Sequence, residues 1–408
     1  MKIYHNSILL LFLALPSIIL ALPYTIEMGL YAKVGNLYFQ LVYLPYYIFI
    51  IPFIYNIDVN NRIDICIIFI MLMQLISCLF SHDNKIIRAL ISMQFFYPYF
   101  ILKFINIQNK DLKLIKNIVA GTYIIIVIQV LFFSFGIMES HTQVIYEFGN
   151  FIRSGTTAGA STTTGHILLA LAIILCSLID SDPARAILLV FNLMIEILTF
   201  TRSSIFANAL IALYMLIQIK QKKQKYELFV VLLILLIIIN HYFGLLSALS
   251  SRSIQISMET GDWSSGRIQR ISESYVYIKN NCIYSLFGFG GAITPYFKEL
   301  NSNIISYLSP HNLYISFLVE HGLITTGLFI ILLYFLNYAL EQKPARLMFV
   351  ITYLIFNFNT ELIFRSFEYA FFFWLFIFIQ KVAILDEASA YKIQQNSSNA
   401  SLNRLWLQ

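Results

Sequence analysis

The stretch FVVLLILLIII, residues 229–239, is a run of apolar side chains with no alternation of polar and apolar positions. A strand of a membrane barrel alternates lipid-facing and lumen-facing residues over segments of ~10 residues. Inside a bilayer only helices and closed barrels satisfy every backbone polar group. Without alternation the run reads as part of a spanning helix, and the rest of the chain follows from it.

Comparable runs recur throughout the 408 residues, which are 59% hydrophobic with a mean hydropathy of +0.75. Only 12% of residues are charged, against ~25% in a soluble domain. The expected fold is an all-α polytopic membrane protein with about twelve transmembrane helices. They lie near 7–22, 37–55, 63–80, 87–105, 115–136, 165–179, 185–200, 203–219, 227–246, 312–338, 346–358 and 367–385. The first resembles a signal-peptide core behind Lys2. It lacks a clear small-x-small cleavage site before Pro23 and is read as an uncleaved span. Residues 1–385 form one multi-span domain, with a large outside loop at 247–310 that contains short helices and a smaller one at 136–164. Residues 386–408 are a polar, Ser- and Asn-rich cytoplasmic tail, expected to be disordered. No internal repeat is visible.

The net charge of +6 does not point to nucleic acid, because the basic residues are dispersed between apolar segments as topology signals. With a cytoplasmic N-terminus, sixteen of the 27 basic residues fall inside, including the clusters Lys103–Lys116 and Lys220–Lys225. Both termini are then cytoplasmic. Of the eleven basic residues left outside, seven are arginines, against four of the sixteen inside. Topology needs only charge. Arginine adds a fork that grips phosphate or carboxylate bidentately. The four cysteines make no disulfide framework: Cys66, Cys78 and Cys176 lie in or beside apolar segments, and Cys282 is alone outside.

The large outside loop has internal order. Ser264-Ser265-Gly266 offers a helix start, and Ile268, Ile271, Tyr275 and Ile278 then mark one apolar face. Arg267, Arg270 and Ser274 share another face, which presents two arginines to lipid headgroups or to a ligand. Phe287-Gly-Phe-Gly-Gly291 has no soluble strand–turn–helix unit around it and is read as a tight turn returning the loop to the membrane. Ser309-Pro-His-Asn-Leu-Tyr-Ile315 follows, with Glu320-His-Gly-Leu-Ile324 beyond it. Polar residues at the mouth of an apolar helix face water, protein or ligand. His311 is the outside candidate for a general base. Arg202, in Leu198-Thr-Phe-Thr-Arg-Ser-Ser204, stands between two apolar segments and must pair, snorkel or hold a ligand. Arg153 opens a Gly-, Ser- and Thr-rich stretch that runs to Gly165 without an acid.

Other chemistries are poorly supported. Asp180-Ser-Asp182 has the form of a nucleotide-sugar metal site, but it lies in a short inside loop and is read as a helix end and start. No zinc spacing or phosphate-binding P-loop is present. No metal and no cofactor are expected.

Arg153 with Gly155, Thr-Arg-Ser-Ser around Arg202, the loop closing in Phe-Gly-Phe-Gly-Gly, Pro-His-Asn-Leu-Tyr and the following Glu-His-Gly-Leu-Ile together resemble the O-antigen polymerase and O-antigen ligase superfamily. At residue level the resemblance runs from Arg153 to Ile324. It implies a membrane glycosyltransferase on the periplasmic face of the bacterial inner membrane. The donor would be an undecaprenyl-pyrophosphate-linked oligosaccharide, and a flippase and a chain-length regulator would be partners among the membrane lipids. A polymerase passes the glycan to the next lipid-linked repeat unit, a ligase to lipid A core. His311 and Arg202 would be catalytic. Arg153, Arg267, Arg270, Asn312 and Tyr314 would bind pyrophosphate or glycan. The competing class is a flippase for lipid-linked sugars. It needs a polar path through the bilayer, where Glu196 is the notable charge inside a span.

Overall fold

The computed structural model describes residues 2–21, 31–34, 37–40, 57–79, 93–135, 137, 147–148, 151–152, 161–199, 201–243, 271–272, 279, 282–288, 290, 312–355 and 367–382. The helices are α1 (Lys2–Ala21), α2 (Arg62–Leu79), α3 (Tyr97–Ile105), α4 (Leu112–Ser134), α5 (Ser161–Ser177), α6 (Asp182–Thr199), α7 (Arg202–Gln218), α8 (Lys222–Phe243), α9 (Cys282–Phe287), α10 (Leu313–Ala339), α11 (Lys343–Phe349) and α12 (367–382). A π-helical turn, Val350–Ile355, continues α11.

Among the described residues three stretches are long and apolar enough to cross a bilayer: Arg62–Leu79, Asn109–Ser134 and Leu313–Ala339. Each buries only part of its apolar surface. In α2, Phe69, Leu72 and Leu75 are exposed, as are Ile124, Ile125 and Ile128 in α4 and Ile330 and Ile331 in α10. Helix α8 exposes Phe229, Val230, Val231, Leu233, Ile234 and Ile237, so the run that decides the fold lines the outside of the bundle. Water does not tolerate so much contiguous apolar surface, whereas lipid tails do. The chain is a helical membrane protein.

The core is aromatic. Trp374 of α12 is fully buried and donates its indole N–H to the Phe95 carbonyl at 2.6 Å. Phe95, Tyr99 and Phe373 pack around it, with ring centroids 4.7–5.4 Å away. The indole N–H thus meets a partner without leaving the core.

Two short hairpins accompany the helices: Tyr31–Val34 (β1) pairs antiparallel with Leu37–Gln40 (β2), and Glu147–Phe148 (β3) with Phe151–Ile152 (β4). Three expected spans differ from the structure. The first hairpin occupies the start of the span expected at 37–55. The span expected at 87–105 is interrupted by a turn ahead of Tyr97, where Pro98 sits in the first turn of α3. Proline lacks the N–H a continuing helix needs, but fits a first turn. The segment expected at 346–358 is α-helical only to Phe349 and then π-helical.

The other described helices fall close to their expected positions. Asp180-Ser-Asp182 separates α5 from α6, and Arg185 ties this corner by donating to the Ile179 carbonyl at 2.6 Å and to Asp182 Oδ1 at 3.1 Å. Cys66, Cys78 and Cys176 are buried free thiols. The tail 386–408 lies outside the described residues.

Candidate functional site

Helices α6 and α7 meet at a corner built from hydroxyl groups. Thr199 Oγ1 donates to the Glu196 carbonyl at 2.7 Å and lies 3.0 Å from Thr201 Oγ1. Ser204 Oγ donates to the Thr201 carbonyl at 3.0 Å. These bonds satisfy polar groups that two helix ends would otherwise leave open. The corner seats on Gly165 of α5, where a Cβ would come within 2.7 Å of both Thr201 Cβ and Ser204 Oγ. Beside it Ser203 Oγ and the fully buried His166 Nε2 lie 3.0 Å apart.

Arg202 is the first residue of α7, and its side chain is exposed. A cation at a helix N-terminus opposes the helix dipole by roughly 0.3–1 kcal/mol. A helix N-terminus also suits an anion, because its first backbone N–H groups lie beyond the intrahelical ladder, and Arg202 stands at that end. Glu196, one turn back on α6, is fully buried and accepts from Asn192 Nδ2 at 2.8 Å. Asn192 in turn accepts from the Tyr123 hydroxyl at 3.0 Å. The one acid inside that span is held by a neutral relay between α4 and α6.

The second construction joins the two glycine-bearing motifs. Helix α10 carries a non-helical residue at Gly322 (φ 78°, ψ 175°), and Gly288 and Gly290 also have positive φ. Gly290 N–H donates to the Glu320 carbonyl at 2.9 Å, and that carbonyl also accepts from Ser77 Oγ of α2 at 2.8 Å. A Cβ on Gly288 would lie 2.4 Å from the Glu320 oxygen, and one on Gly322 would lie 2.2 Å from the Leu286 oxygen. Only glycine allows both backbone approaches. His321 is buried, 3.5 Å from Gln74 Nε2 and against the ring of Phe317. The expected return turn thus locks α9 onto the kink of α10 and the end of α2.

Asn312 and Tyr314 open α10. Asn312 Oδ1 accepts from the backbone N–H groups of Tyr314 and Ile315, a helix N-cap. The Tyr314 hydroxyl donates to the Leu354 carbonyl at the end of the π turn, at 3.0 Å. Helix α7 packs against that same turn, which connects the Arg202 helix to the start of α10. His311, Arg153, Arg267 and Arg270 lie outside the described residues. The surface helix expected after Ser264 also lies outside them, apart from Ile271 and Ser272.

His166, Ser203 and Gly165 escape the sequence reading. Their signal was a histidine in the first turns of an apolar helix, which is costly to bury without a role. Among the described residues no group of three or more His, Cys, Asp and Glu is arranged to hold a metal.

The fold and these two constructions define a polytopic membrane protein with a built polar corner and a tethered loop. The O-antigen ligase family model matches residues 186–332. Over that segment the chain is similar to the O-antigen ligase family. The matched segment holds the Arg202 corner, the glycine lock, Asn312 and Tyr314, while Arg153, Gly165 and His166 precede it. No curated protein matches the chain.

Proposed function

We propose that the chain is an O-antigen polymerase. It joins undecaprenyl-pyrophosphate-linked repeat units on the periplasmic face of the bacterial inner membrane, with inversion and without a metal. In this reading twelve spans carry both termini in the cytoplasm. The observation that carries it is the exposed Arg202 on the first turn of α7, set on a corner fixed by Gly165, Thr199, Thr201 and Ser204. A lipid-borne pyrophosphate reaches such a membrane-edge cation without a nucleotide pocket.

In the step itself an acceptor hydroxyl oxygen bonds to the anomeric carbon as the bond to the pyrophosphate oxygen breaks. The electron pair leaves with the pyrophosphate, and Arg202 answers its growing charge, joined by Arg267 or Arg270 from the loop. His311 takes the hydroxyl proton. Arginines in this role make a divalent cation dispensable, so purified protein is expected to stay active in excess EDTA.

The family description supports a second reading, in which the same chemistry passes the finished glycan to lipid A core. The surface glycan of a deletion strain separates the two: a single repeat unit on the core marks a polymerase, and core without repeats marks a ligase. Complementing with Arg202→Lys tests the site. Lysine keeps the charge and loses the fork, so polymer should fall strongly, and Arg202→Ala should abolish it while the protein still accumulates. Near-normal polymer from Arg202→Lys, or degradation of Arg202→Ala, would make Arg202 scaffold.

A further inference from the structure

Roughly 25 Å along α10 from the glycine lock, by the 1.5 Å rise per residue, the bundle has a different end. Helix α2 begins there, α3 and α10 finish, and α12 runs out. A cavity of about 330 Å³ opens among them, at the lower edge of the ~300–1,000 Å³ typical of ligand sites. Its wall is apolar, from Leu336, Leu340, Ile377 and Phe378, and its rim carries Lys103, Glu341 and Lys381.

The rim charges are not equivalent. Lys103 is bonded to the fully buried Asp64, which also accepts from the Tyr99 hydroxyl and from the Asp58 N–H. Its charge is answered within the protein. Glu341 and Lys381 are exposed, and among the described residues no ion pair joins them to each other. One site therefore offers an anion, a cation and an apolar wall, with no net charge. It lies at helix ends, the depth at which lipid headgroups stand.

We propose that this cavity binds a zwitterionic phospholipid of the ethanolamine type, its phosphate on Lys381, its ammonium on Glu341 and the start of its acyl chains against Leu336, Leu340, Ile377 and Phe378. An anionic lipid would satisfy Lys381 but set its charge against Glu341. A cationic amphiphile would meet the reverse conflict. Only a headgroup with both charges uses both side chains, and the site is independent of the glycosyl chemistry proposed above.

The test is lipid retention by the full chain. Protein is purified, stripped of loosely held lipid, offered equal phosphatidylethanolamine and phosphatidylglycerol in nanodiscs, and measured by native mass spectrometry. The wild type should retain phosphatidylethanolamine in preference. Glu341→Ala should shift the ratio toward phosphatidylglycerol by about two- to fivefold, the worth of one exposed charge contact. Lys381→Ala should reduce retention of both. The double exchange Glu341→Lys with Lys381→Glu should recover the ethanolamine preference, because a zwitterion can bind reversed. Both side chains are exposed, so the variants should elute as the wild type does on size exclusion. Preferential retention of phosphatidylglycerol by the wild type, or a ratio unmoved by Glu341→Ala, overturns the proposal.

Discussion

Replacing Gly322 by alanine should detach the Cys282–Phe287 segment from the bundle while leaving the bundle inserted. Two costs add. The backbone at φ 78° and ψ 175° belongs to a region almost reserved for glycine, worth ~1–3 kcal/mol for any other residue. The new methyl would lie 2.2 Å from the Leu286 oxygen and 2.5 Å from the Phe287 nitrogen, which are backbone atoms and cannot rotate away. Overpacking of this kind costs ~1–3 kcal/mol. The sum, ~2–6 kcal/mol, exceeds the ~0.5–1.5 kcal/mol of a typical hydrogen bond such as Gly290 N–H to Glu320 O. The cheapest relief is release of Cys282–Phe287 from α10, not loss of the membrane fold. The assay is protease treatment of spheroplasts with immunoblotting, alongside the glycan gel. Gly322→Ala protein should reach normal levels, be cleaved near residues 282–311 faster than wild type, and make little polymer. Gly327→Ala, on the same helix with nothing within 4 Å of its new Cβ, should match wild type in all three measurements. If Gly322→Ala gives wild-type cleavage and wild-type polymer, the lock does not hold the loop.

Two shorter tests address the start of α10 and the α5–α7 contact. Asn312→Ser keeps a capping oxygen and should retain most polymer, while Asn312→Ala should lose ~1 kcal/mol of local stability and much of the polymer; equal loss in both would mean that the amide contacts sugar. Gly165→Ala forces its methyl to 2.7 Å from Thr201 Cβ, a clash of ~1–3 kcal/mol, and should lower polymer yield where Gly121→Ala, with open space around it, does not. Unchanged polymer from Gly165→Ala would disconnect α5 from the Arg202 corner.

The long helices were legible because period and length agree over many residues. The hairpins were not, although their signal was present: Gly35-Asn36 and Gly149-Asn150 each separate two paired strands. Gly-Asn is a favoured two-residue hairpin pair, but Leu37–Gln40 runs into a long apolar stretch, and an apolar run does not distinguish strand from helix. Pro98 marks the start of α3 in the same way, but it lies within a long apolar stretch that hides the break. The π turn after Phe349 leaves no periodic trace, because it depends on how α11 packs. Arg202 and the Phe-Gly-Phe-Gly-Gly turn were readable as local anomalies in an apolar chain. His166 is a similar anomaly, but its partner Ser203 is thirty-seven residues away and only the packing of α5 on α7 brings them together.

The distribution of glycine explains why the lock and the arginine corner coexist. An exposed side chain such as Arg202 gains little from packing and is positioned by support from beneath. Gly165 provides that support by letting α5 approach the Thr201–Ser204 turn closely enough for His166 and Ser203 to come within 3.0 Å. On α10 the requirement differs. Its first turns, from the Asn312 cap to Gly322, carry the polar groups that meet the loop, and the remainder to Ala339 is nearly all apolar. A continuous helix would aim both parts along one axis. The kink at Gly322 separates them and turns the Glu320 carbonyl to the two donors Ser77 and Gly290. That carbonyl is thus satisfied where the helical ladder is interrupted, as a buried backbone group in or near a bilayer must be.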